Sequence, residues 1–414
     1  MLKLGRLLVD RGGLNMLLYE TFREEIDIVK NIKIENTGNS HNISVKTSGN
    51  NDLDLKMYAE SYYYVANIIA DYILVESNDI SNLDTMVYPM IFSFRHALEL
   101  LMKSIILTNS RDSNNCTINA GHDLLALFEL VKKTVCFSKN DEIWLTKFFE
   151  ELHRKDKESD LFRYPFMMNK DMRILFGEEY TFGFENRVDL DLNRLIEKFR
   201  YAFIGLQSNG LNRYKKPNNT VLLEEGGGYY ERAVLGRFRD KFSEYIEGYF
   251  NCGVLLRSKQ ENREIENKAF FPMIYFYRLS LEILLKKMIY ENIFFDENKK
   301  RGILNKEKHN ICKMWKEIKE WYYIFDPSDQ EAKILFEDIY ITLENIEKND
   351  CTSSKYRYPF DKKMKSYFSQ KRNTTYTLKN TAIVFESIIN RISGIEGYLN
   401  EIYKYHKDAE GLNY

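Results

Sequence analysis

The chain carries one long sequence pattern twice, and this duplication constrains its fold more than any other feature. Seven positions in the first copy have the same spacing as seven in the second, and six of the seven residues are identical. The first set is Asp156, Ser159, Phe162, Arg163, Tyr164, Pro165 and Phe166, and the second is Asp350, Ser353, Tyr356, Arg357, Tyr358, Pro359 and Phe360. At about one in twenty per position, six matches in register are improbable by chance. The duplication predicts two copies of one fold in one polypeptide.

The repeat extends upstream of this motif. Residues 89–95 match residues 272–278 at an offset of 183, with proline at the start and arginine at the end of each segment. His122 then matches His309 at an offset of 187, and the Arg-Tyr-Pro-Phe motif recurs at an offset of 194. Loops can absorb these changes in offset, because insertions there cost little closure entropy. A period near 190 is too long for a solenoid and indicates tandem domains.

The hydrophobic pattern predicts an all-α fold. Apolar residues recur at three- and four-residue steps in segments 58–76, 87–107, 122–135, 141–153 and 190–206, and again in 229–256, 271–294, 309–324, 330–347 and 377–405. We expect two tandem helical bundles that form an intramolecular pseudo-dimer. The predicted division is an N-terminal segment 1–56, a first helical domain 57–210, a linker 211–235 and a second helical domain 236–414. The N-terminal segment is irregular or contains a short strand near 41–46.

Composition narrows the function classes. The net charge of −1 argues against general attraction to nucleic acid or anionic lipid, although a local basic groove stays open. Five cysteines, an odd number with no Cys-x-x-Cys pair, predict reduced thiols in a cytoplasmic protein. No uncharged apolar run approaches the roughly 20 residues of a membrane span. We expect no membrane association and no cofactor, and the sequence leaves homo-oligomers open.

A candidate polar cluster follows from the repeat. Arg95, Glu99 and Lys103 stand four residues apart on one face of an otherwise apolar helix, and the second copy repeats the stripe. Such a stripe suits either a groove for phosphate or RNA, or an internal charge ladder, and burial of charges favours the ladder. The full cluster comprises Arg95, Glu99, Lys103, His122, Asp156, Arg163, Arg278, Glu282, Lys286, His309, Asp350 and Arg357.

Two other parts of the cluster have competing interpretations. His122 and His309 each open a helix, where they can act as a general base, contact RNA, or hydrogen-bond the preceding glutamate, and the last role is favoured. The loop from Asp156 to Phe166 suits a folded clamp better than a catalytic loop, because Asp and Ser cap local backbone donors and Arg163 can pair with Asp156 or Glu99. No metal site is predicted, because the chain lacks His-x-x-x-His and clustered Cys or His.

These motifs resemble the HEPN superfamily of helical bundles. The resemblance rests on Phe94–Lys103, Gly121–Leu124 and Phe162–Pro165, and more loosely on Met273–Lys286, His309 and Tyr356–Phe360. It covers roughly residues 57–207 and 236–405. In the second copy, Asn310 and Ile311 replace Asp123 and Leu124.

The resemblance implies a compact up-down bundle that often dimerises. Many members are metal-independent ribonucleases of bacterial toxin, phage-defence and CRISPR systems, with a catalytic Arg followed by four to six residues and a His. This chain lacks that spacing: seven residues separate Arg301 from His309, and ten separate Arg111 from His122. No catalytic residue therefore carries over from the family.

The leading expectation is a divergent, non-catalytic HEPN-like protein that binds RNA or a protein partner in bacterial phage defence or a toxin system. One alternative is an active metal-independent ribonuclease with a non-standard site built from Arg95, Glu99, His122 and Arg163. The other alternative is a protein-interaction scaffold with no role in nucleic-acid binding.

Overall fold

The computed structural model describes residues 42–77, 79–109, 121–168, 180–184, 186–207, 215–236, 240–307, 309–325, 330–350, 353–369 and 374–411. This part of the chain is mostly helical, and its sheets are all two-stranded. The predicted all-α class is therefore confirmed. Most of the predicted N-terminal segment, residues 1–41, lies outside the described residues, as do Arg111, Cys116 and Cys351.

The helices agree closely with the hydrophobic pattern. They are α1 (Asn51–Asp71, extended by a π turn at Tyr72–Glu76), α2 (Ser81–Asn109), α3 (Leu124–Lys132), α4 (Lys139–Asp156), α5 (Leu192–Gln207), α6 (Lys241–Glu261), α7 (Phe270–Tyr290), α8 (Glu297–Glu307), α9 (Ile311–Phe325), α10 (Gln330–Asn349) and α11 (Leu378–Gly411). The strands are β1 (Asn42–Val45), β2 (Phe166–Met168), β3 (Tyr180–Phe182), β4 (Val188–Asp191), β5 (Arg232–Leu235) and β6 (Thr374–Thr377). They pair as β1–β6, β2–β3 and β4–β5.

The chain divides into two compact units, each discontinuous in sequence. The larger unit contains Ile43–Ile283 and Ser353–Thr375, and the smaller contains the described parts of 284–352 and 376–414. The two units do not correspond to the two sequence repeats. The domain boundaries that the repeat predicts stay a prediction. The second motif loop from Ser353 onwards belongs to the larger unit, together with the first motif loop.

Helix α2 is the centre of the larger unit. Nearly all of its residues from Leu83 to Met102 are buried, and it packs against α1, α3, α5 and α6. A helix that is apolar on all faces can be stable in water only when other elements enclose it. The apolar sequence of α2 therefore makes this helix the core of the larger unit. The charged side chains of α2 lie inside that core as a result.

The order of elements repeats along the chain. The first half runs α1, α2, α3, α4, a motif loop, β4 and α5, and the second runs α6, α7, α9, α10, a motif loop, β6 and α11. Helix α8 was not predicted and stands between α7 and α9. The shared order supports the predicted duplication of one fold, while the superposition of the two halves stays a prediction.

The two motif loops share an unusual backbone conformation. Ser159 has a φ of 66°, and its counterpart in the second loop has a φ of 55°. The amides of Arg163 and Tyr164 donate to the Asp160 carbonyl at 3.0 and 2.9 Å, and the equivalent amides donate to the Ser354 carbonyl at 3.0 and 2.8 Å. A left-handed residue at the same place in both loops is rare for L-amino acids. The sequence repeat is thus also a repeat of local structure.

One predicted helix is wrong at its beginning. The pattern predicted a helix from 229, but the chain forms β5, which pairs antiparallel with β4, and α6 begins only at Lys241. Gly236 has a φ of 67°, which a helix cannot continue through, and Asp240 caps α6 by accepting from the Phe242 amide at 2.9 Å. The segment predicted as a linker therefore contributes a strand. The predicted strand near 41–46 is confirmed by β1.

Proline and glycine bring α2 and α6 into direct backbone contact. Pro89 lies inside α2 and has no amide hydrogen, so the Thr85 carbonyl loses its partner within the helix. A Cβ added at Gly248 of α6 would stand only 2.1 Å from that carbonyl oxygen. Only glycine permits this approach.

We expect Gly248→Ala to lower the free energy of unfolding by more than about 2 kcal/mol, because the two backbones would have to separate. Gly302→Ala in α8 is the matched control, since a Cβ there meets nothing within 4 Å. That change should stabilise the helix by about 0.5–1 kcal/mol. Urea unfolding of both variants tests the contact, and equal effects of the same sign would contradict it.

Candidate functional site

Arg95 is buried and ties α2 to two loops. Its Nη2 donates to the carbonyls of His122 at 2.9 Å, Asp156 at 2.8 Å and Lys157 at 3.2 Å. Its Nε lies 2.9 Å from Asp156 Oδ2 as an ion pair. Burial raises the pKa of Asp156, and Arg95 opposes that rise only in part. The predicted contact between the charged stripe and the first motif loop is confirmed, and Arg95 serves it as a structural residue.

Glu99 lies one helical turn further along and is completely buried. Its carboxylate accepts from Lys103 Nζ at 2.7 Å and from the Tyr358 hydroxyl at 2.9 Å. Arg95 Nη1 stands 3.4 Å away. Burial alone would raise the pKa of Glu99, but Lys103 and His122 overcome this effect and hold it well below its usual value. An ionised carboxylate therefore sits in the core, with partners on several sides.

His122 is the member of this group that reaches solvent. Its Nδ1 lies 3.1 Å from Glu99 Oε1, and its side chain is 36 % exposed. The next residue, Asp123, caps α3 by accepting from the amides of Leu125 and Ala126. The cap fixes the end of the loop, so the carboxylate and the helix together orient the imidazole. The predicted hydrogen bond between His122 and the preceding glutamate is confirmed.

The two repeats exchange tyrosines. Tyr358 of the second motif loop donates to Glu99 of α2, and Tyr164 of the first motif loop donates to Glu282 Oε1 of α7 at 3.1 Å. We call this pair of hydrogen bonds the reciprocal latch. Burial, followed by the charge of the facing glutamate, raises the pKa of both Tyr164 and Tyr358, so both phenols are protonated donors at neutral pH.

A second set of tyrosines holds the same loops by their backbones. Tyr58 and Tyr62 of α1 donate to the carbonyls of Lys355 at 3.3 Å and Tyr356 at 3.1 Å. In α6 the tyrosines 187 positions later make the corresponding bonds to the first loop. Those bonds join Tyr245 to Leu161 at 2.7 Å and Tyr249 to Phe162 at 2.9 Å.

Equivalent positions also touch each other. Phe92 of α2 and Tyr275 of α7 occupy the same place in their repeats, and their ring centroids are 5.2 Å apart. Contact between like residues is what an isologous interface produces near its axis. The contact pattern in the larger unit is thus reciprocal, with each motif loop bound by helices of the other repeat.

Arg163 and Arg357, the motif arginines, are both buried. The Arg163 Nε donates to the Ser159 carbonyl at 2.5 Å, and its Nη2 pairs with Asp160 at 2.5 Å. The Arg357 Nε donates to the Ser353 carbonyl at 2.9 Å. Arg163 was predicted to pair with Asp156 or Glu99, and its carboxylate partner is Asp160 instead. Each guanidinium closes its own left-handed turn.

The second-copy residues fall in two places. Arg278 and Glu282 belong to the larger unit, are fully buried, and stand 3.3 Å apart. Lys286, His309 and Asp350 belong to the smaller unit, where Lys286 and Asp350 are buried and His309 precedes α9. The predicted contact of Arg278 or Glu282 with the loop from Asp350 stays a prediction. Asn310 caps α9 by accepting from the Lys313 amide at 2.8 Å, as Asp123 caps α3.

The spacing pattern missed three residues of the site. His96 is buried, its Nε2 lies 3.0 Å from the Arg357 carbonyl, and burial lowers its pKa to about 3. It is therefore neutral and donates from Nε2. Tyr164 was assigned only to the clamp loop and Tyr358 only to the repeat, and their partners on the opposite repeat were not predicted. The Tyr-x-x-x-Tyr spacing shared by α1 and α6 was a signal for a further repeated contact, but it does not tell which motif loop each helix binds.

In the described part of the chain, no three His, Cys, Asp or Glu side chains group as ligands for a metal ion. None of the described helices combines the length and apolarity needed to cross a bilayer. No family model, curated protein or solved structure matches the chain.

The reciprocal latch makes a stability prediction. Tyr358→Phe removes a hydrogen bond to a buried charge, so we expect it to cost about 1.5–3 kcal/mol of unfolding free energy. Tyr229→Phe, at an exposed tyrosine, should cost nothing measurable. Chemical denaturation of the two variants compares them, and an unchanged midpoint for Tyr358→Phe would rule out a stabilising latch.

Glu99 makes a prediction about pH. Its folded pKa is held well below the usual 4.5, so its contribution to stability is present above pH 4.5 and is lost as the pH falls through the folded value. The difference in unfolding free energy between wild type and Glu99→Gln should shrink from pH 6 towards pH 2. Glu129→Gln is the control, at a carboxylate that is 51 % exposed. A difference that stays constant over this range would contradict the ionised, latched carboxylate.

Proposed function

We propose that this chain is a divergent, tandem HEPN-like protein that binds RNA without cleaving it. In this proposal the two repeats form an intramolecular pseudo-dimer, and the repeated motifs serve the interface between them. From the resemblance of the motifs, we propose a role in bacterial phage defence or a toxin system.

The observation that carries the proposal is the burial of the motif charges. Arg95, Glu99, Arg163 and Arg357 are all less than one-tenth exposed, and three of them are held by carbonyls of turns and loops. Phosphoryl-transfer catalysis needs cations that reach the phosphate. Arg95, the arginine that contacts the His122 loop, is committed to the internal frame and is poorly placed for that task, so the motif supports an architectural role.

A separate surface supports RNA as the ligand. A cleft of about 430 Å³ lies beside α5, with Arg200, Lys215 and Lys216 on its walls and Glu197 as its carboxylate. Tyr63 and Tyr201 also line it. Cationic grooves with aromatic walls bind single-stranded nucleic acid through phosphate contacts and base stacking. The net charge of −1 does not oppose this, because Lys215 and Lys216 form a local excess of cations, while Arg200 is paired with Asp71 at 3.1 Å.

One observation favours the ribonuclease alternative. Glu99 holds His122 through Nδ1, and among the described residues Nε2 has no hydrogen-bond partner while the side chain is 36 % exposed. A carboxylate that orients an imidazole in this way is typical of general acid–base residues. The alternative is a metal-independent ribonuclease in which His122 transfers the proton.

We expect the purified protein to bind labelled tRNA and total RNA without strong cleavage, with or without chelator. Proton transfer needs a positioned group beside the reacting phosphate, and the arginine that contacts the His122 loop, Arg95, is buried. Gel shift and cleavage assays on the same samples measure both properties. Cleavage that survives chelation and disappears in His122→Ala or His309→Ala would establish the ribonuclease instead. If the protein neither binds nor cleaves RNA, the protein-interaction scaffold is the alternative that remains.

The cleft assignment has its own test. The double change Lys215→Glu and Lys216→Glu should weaken RNA binding by at least about 10-fold and reduce its salt dependence, because two phosphate contacts would be lost. Lys56→Glu combined with Lys133→Glu is the control for net charge, since Lys56 is exposed and neither lysine lines the cleft. Equal weakening by both double variants would show that only the overall charge matters.

A further inference from the structure

Arg357 is buried without a carboxylate partner among the described residues. Its side chain donates through Nε to the Ser353 carbonyl, and its guanidinium carbon lies 5.3 Å from the ring centroids of both Tyr275 and Tyr358. Its two terminal nitrogens make no hydrogen bond to the described part of the chain, and neither is sealed from solvent. A buried cation in this position needs a compensating negative charge.

Arg163 approaches the same place from the first repeat. It lies close enough to Arg357 that the two guanidinium groups repel each other. Its guanidinium carbon is 5.2 Å from the ring centroid of Tyr164. Its partner Asp160 is 38 % exposed, so the arginine pair lies near the surface on that side.

The repeat explains why the second arginine lacks a carboxylate. Asp160 pairs with Arg163, and the residue 194 positions later is Ser354. The first arginine therefore has a resident anion, and the second does not. Two convergent cations share one carboxylate.

Tyr275 packs its ring against Arg357, and its hydroxyl lies next to Arg163. Its side chain is buried, and the described residues offer no hydrogen-bond acceptor to the hydroxyl proton. Burial raises the pKa of Tyr275, and Arg357 and Arg163 oppose that rise only in part. The phenol is therefore a protonated donor with no protein acceptor, which a buried hydroxyl rarely lacks.

We propose that Arg357, Arg163 and Tyr275 form a binding site for a phosphate-type oxyanion where the two repeats meet. The anion would supply the acceptor that the Tyr275 hydroxyl lacks and the negative charge that Arg357 lacks. Guanidinium groups suit this role, because their forked donors match the oxygens of phosphate. The phosphate belongs either to RNA or to a free phosphate-bearing ligand. The first source rests on the proposed function.

Calorimetric titration of the full chain with inorganic phosphate tests the site, against sodium chloride at equal ionic strength. We expect saturable binding of phosphate by the wild type. Arg357→Gln should weaken it by at least about 10-fold, and Tyr275→Phe by about 5-fold through one lost hydrogen bond. Arg187→Gln, at an arginine that is 60 % exposed and paired with Asp189, should leave it unchanged.

Arg357→Lys keeps the charge and guards against a folding defect in the glutamine variant. It should fold and still bind phosphate more weakly than wild type, because lysine lacks the fork. Phosphate binding that matches chloride, or that survives in Arg357→Lys and Tyr275→Phe at wild-type affinity, would overturn the proposal.

The source of the phosphate is settled by a second titration, with a short single-stranded RNA in place of inorganic phosphate. If the RNA backbone is the ligand, Arg357→Lys weakens RNA binding and free phosphate competes with it. If RNA binding depends only on Lys215 and Lys216, the arginine site takes a separate phosphate-bearing molecule. If the wild-type protein binds inorganic phosphate but not RNA, the proposed function is contradicted and the phosphate site is still supported.

Discussion

The larger unit depends on a carboxylate that is buried and still ionised. Glu99 lies in the middle of an apolar helix, where an unpaired charge would cost several kcal/mol. Its partners come from three parts of the chain: Lys103 from its own helix, His122 from the following loop, and Tyr358 from the other repeat. Each of these partners offsets part of the cost of burying the Glu99 carboxylate. The buried charge therefore favours the packing that brings these three segments together.

A buried glutamate that needs hydrogen-bond donors is also present on α7, and it links the two repeats. Glu282 is fully buried and accepts from Tyr164, so each central helix needs a tyrosine from the opposite copy. The tyrosines of α1 and α6 add four backbone contacts of the same kind. In each copy, the buried glutamate of the central helix accepts a hydrogen bond from a tyrosine of the other copy. This dependence supports the proposed pseudo-dimer, since exchange of like elements is how a two-fold interface is built.

The burial of these charges separates the polar cluster into two roles. Arg95 and Glu99 are internal and fix the positions of loops, whereas His122 is held by Glu99 and open to solvent. The arginines of the motif close turns, yet Arg357 retains donors that no described residue uses. A polar network can thus be architectural in most of its members and still leave one or two groups free for a ligand.

Several features of the fold and of the polar cluster could be predicted from the sequence. The duplication, the helical class, the burial of α2 and the contact of Arg95 with the first motif loop follow from spacing and period, because those depend on neighbours along the chain. The strand β5 was missed because a positive φ at Gly236 and the cap at Asp240 override a helical pattern. Only the tertiary structure decided that Tyr358 belongs to Glu99 and Tyr164 to Glu282. Spacing is the same whether a loop folds onto its own repeat or the other one, and the choice depends on which packing brings a hydrogen-bond donor to the buried Glu99 and Glu282.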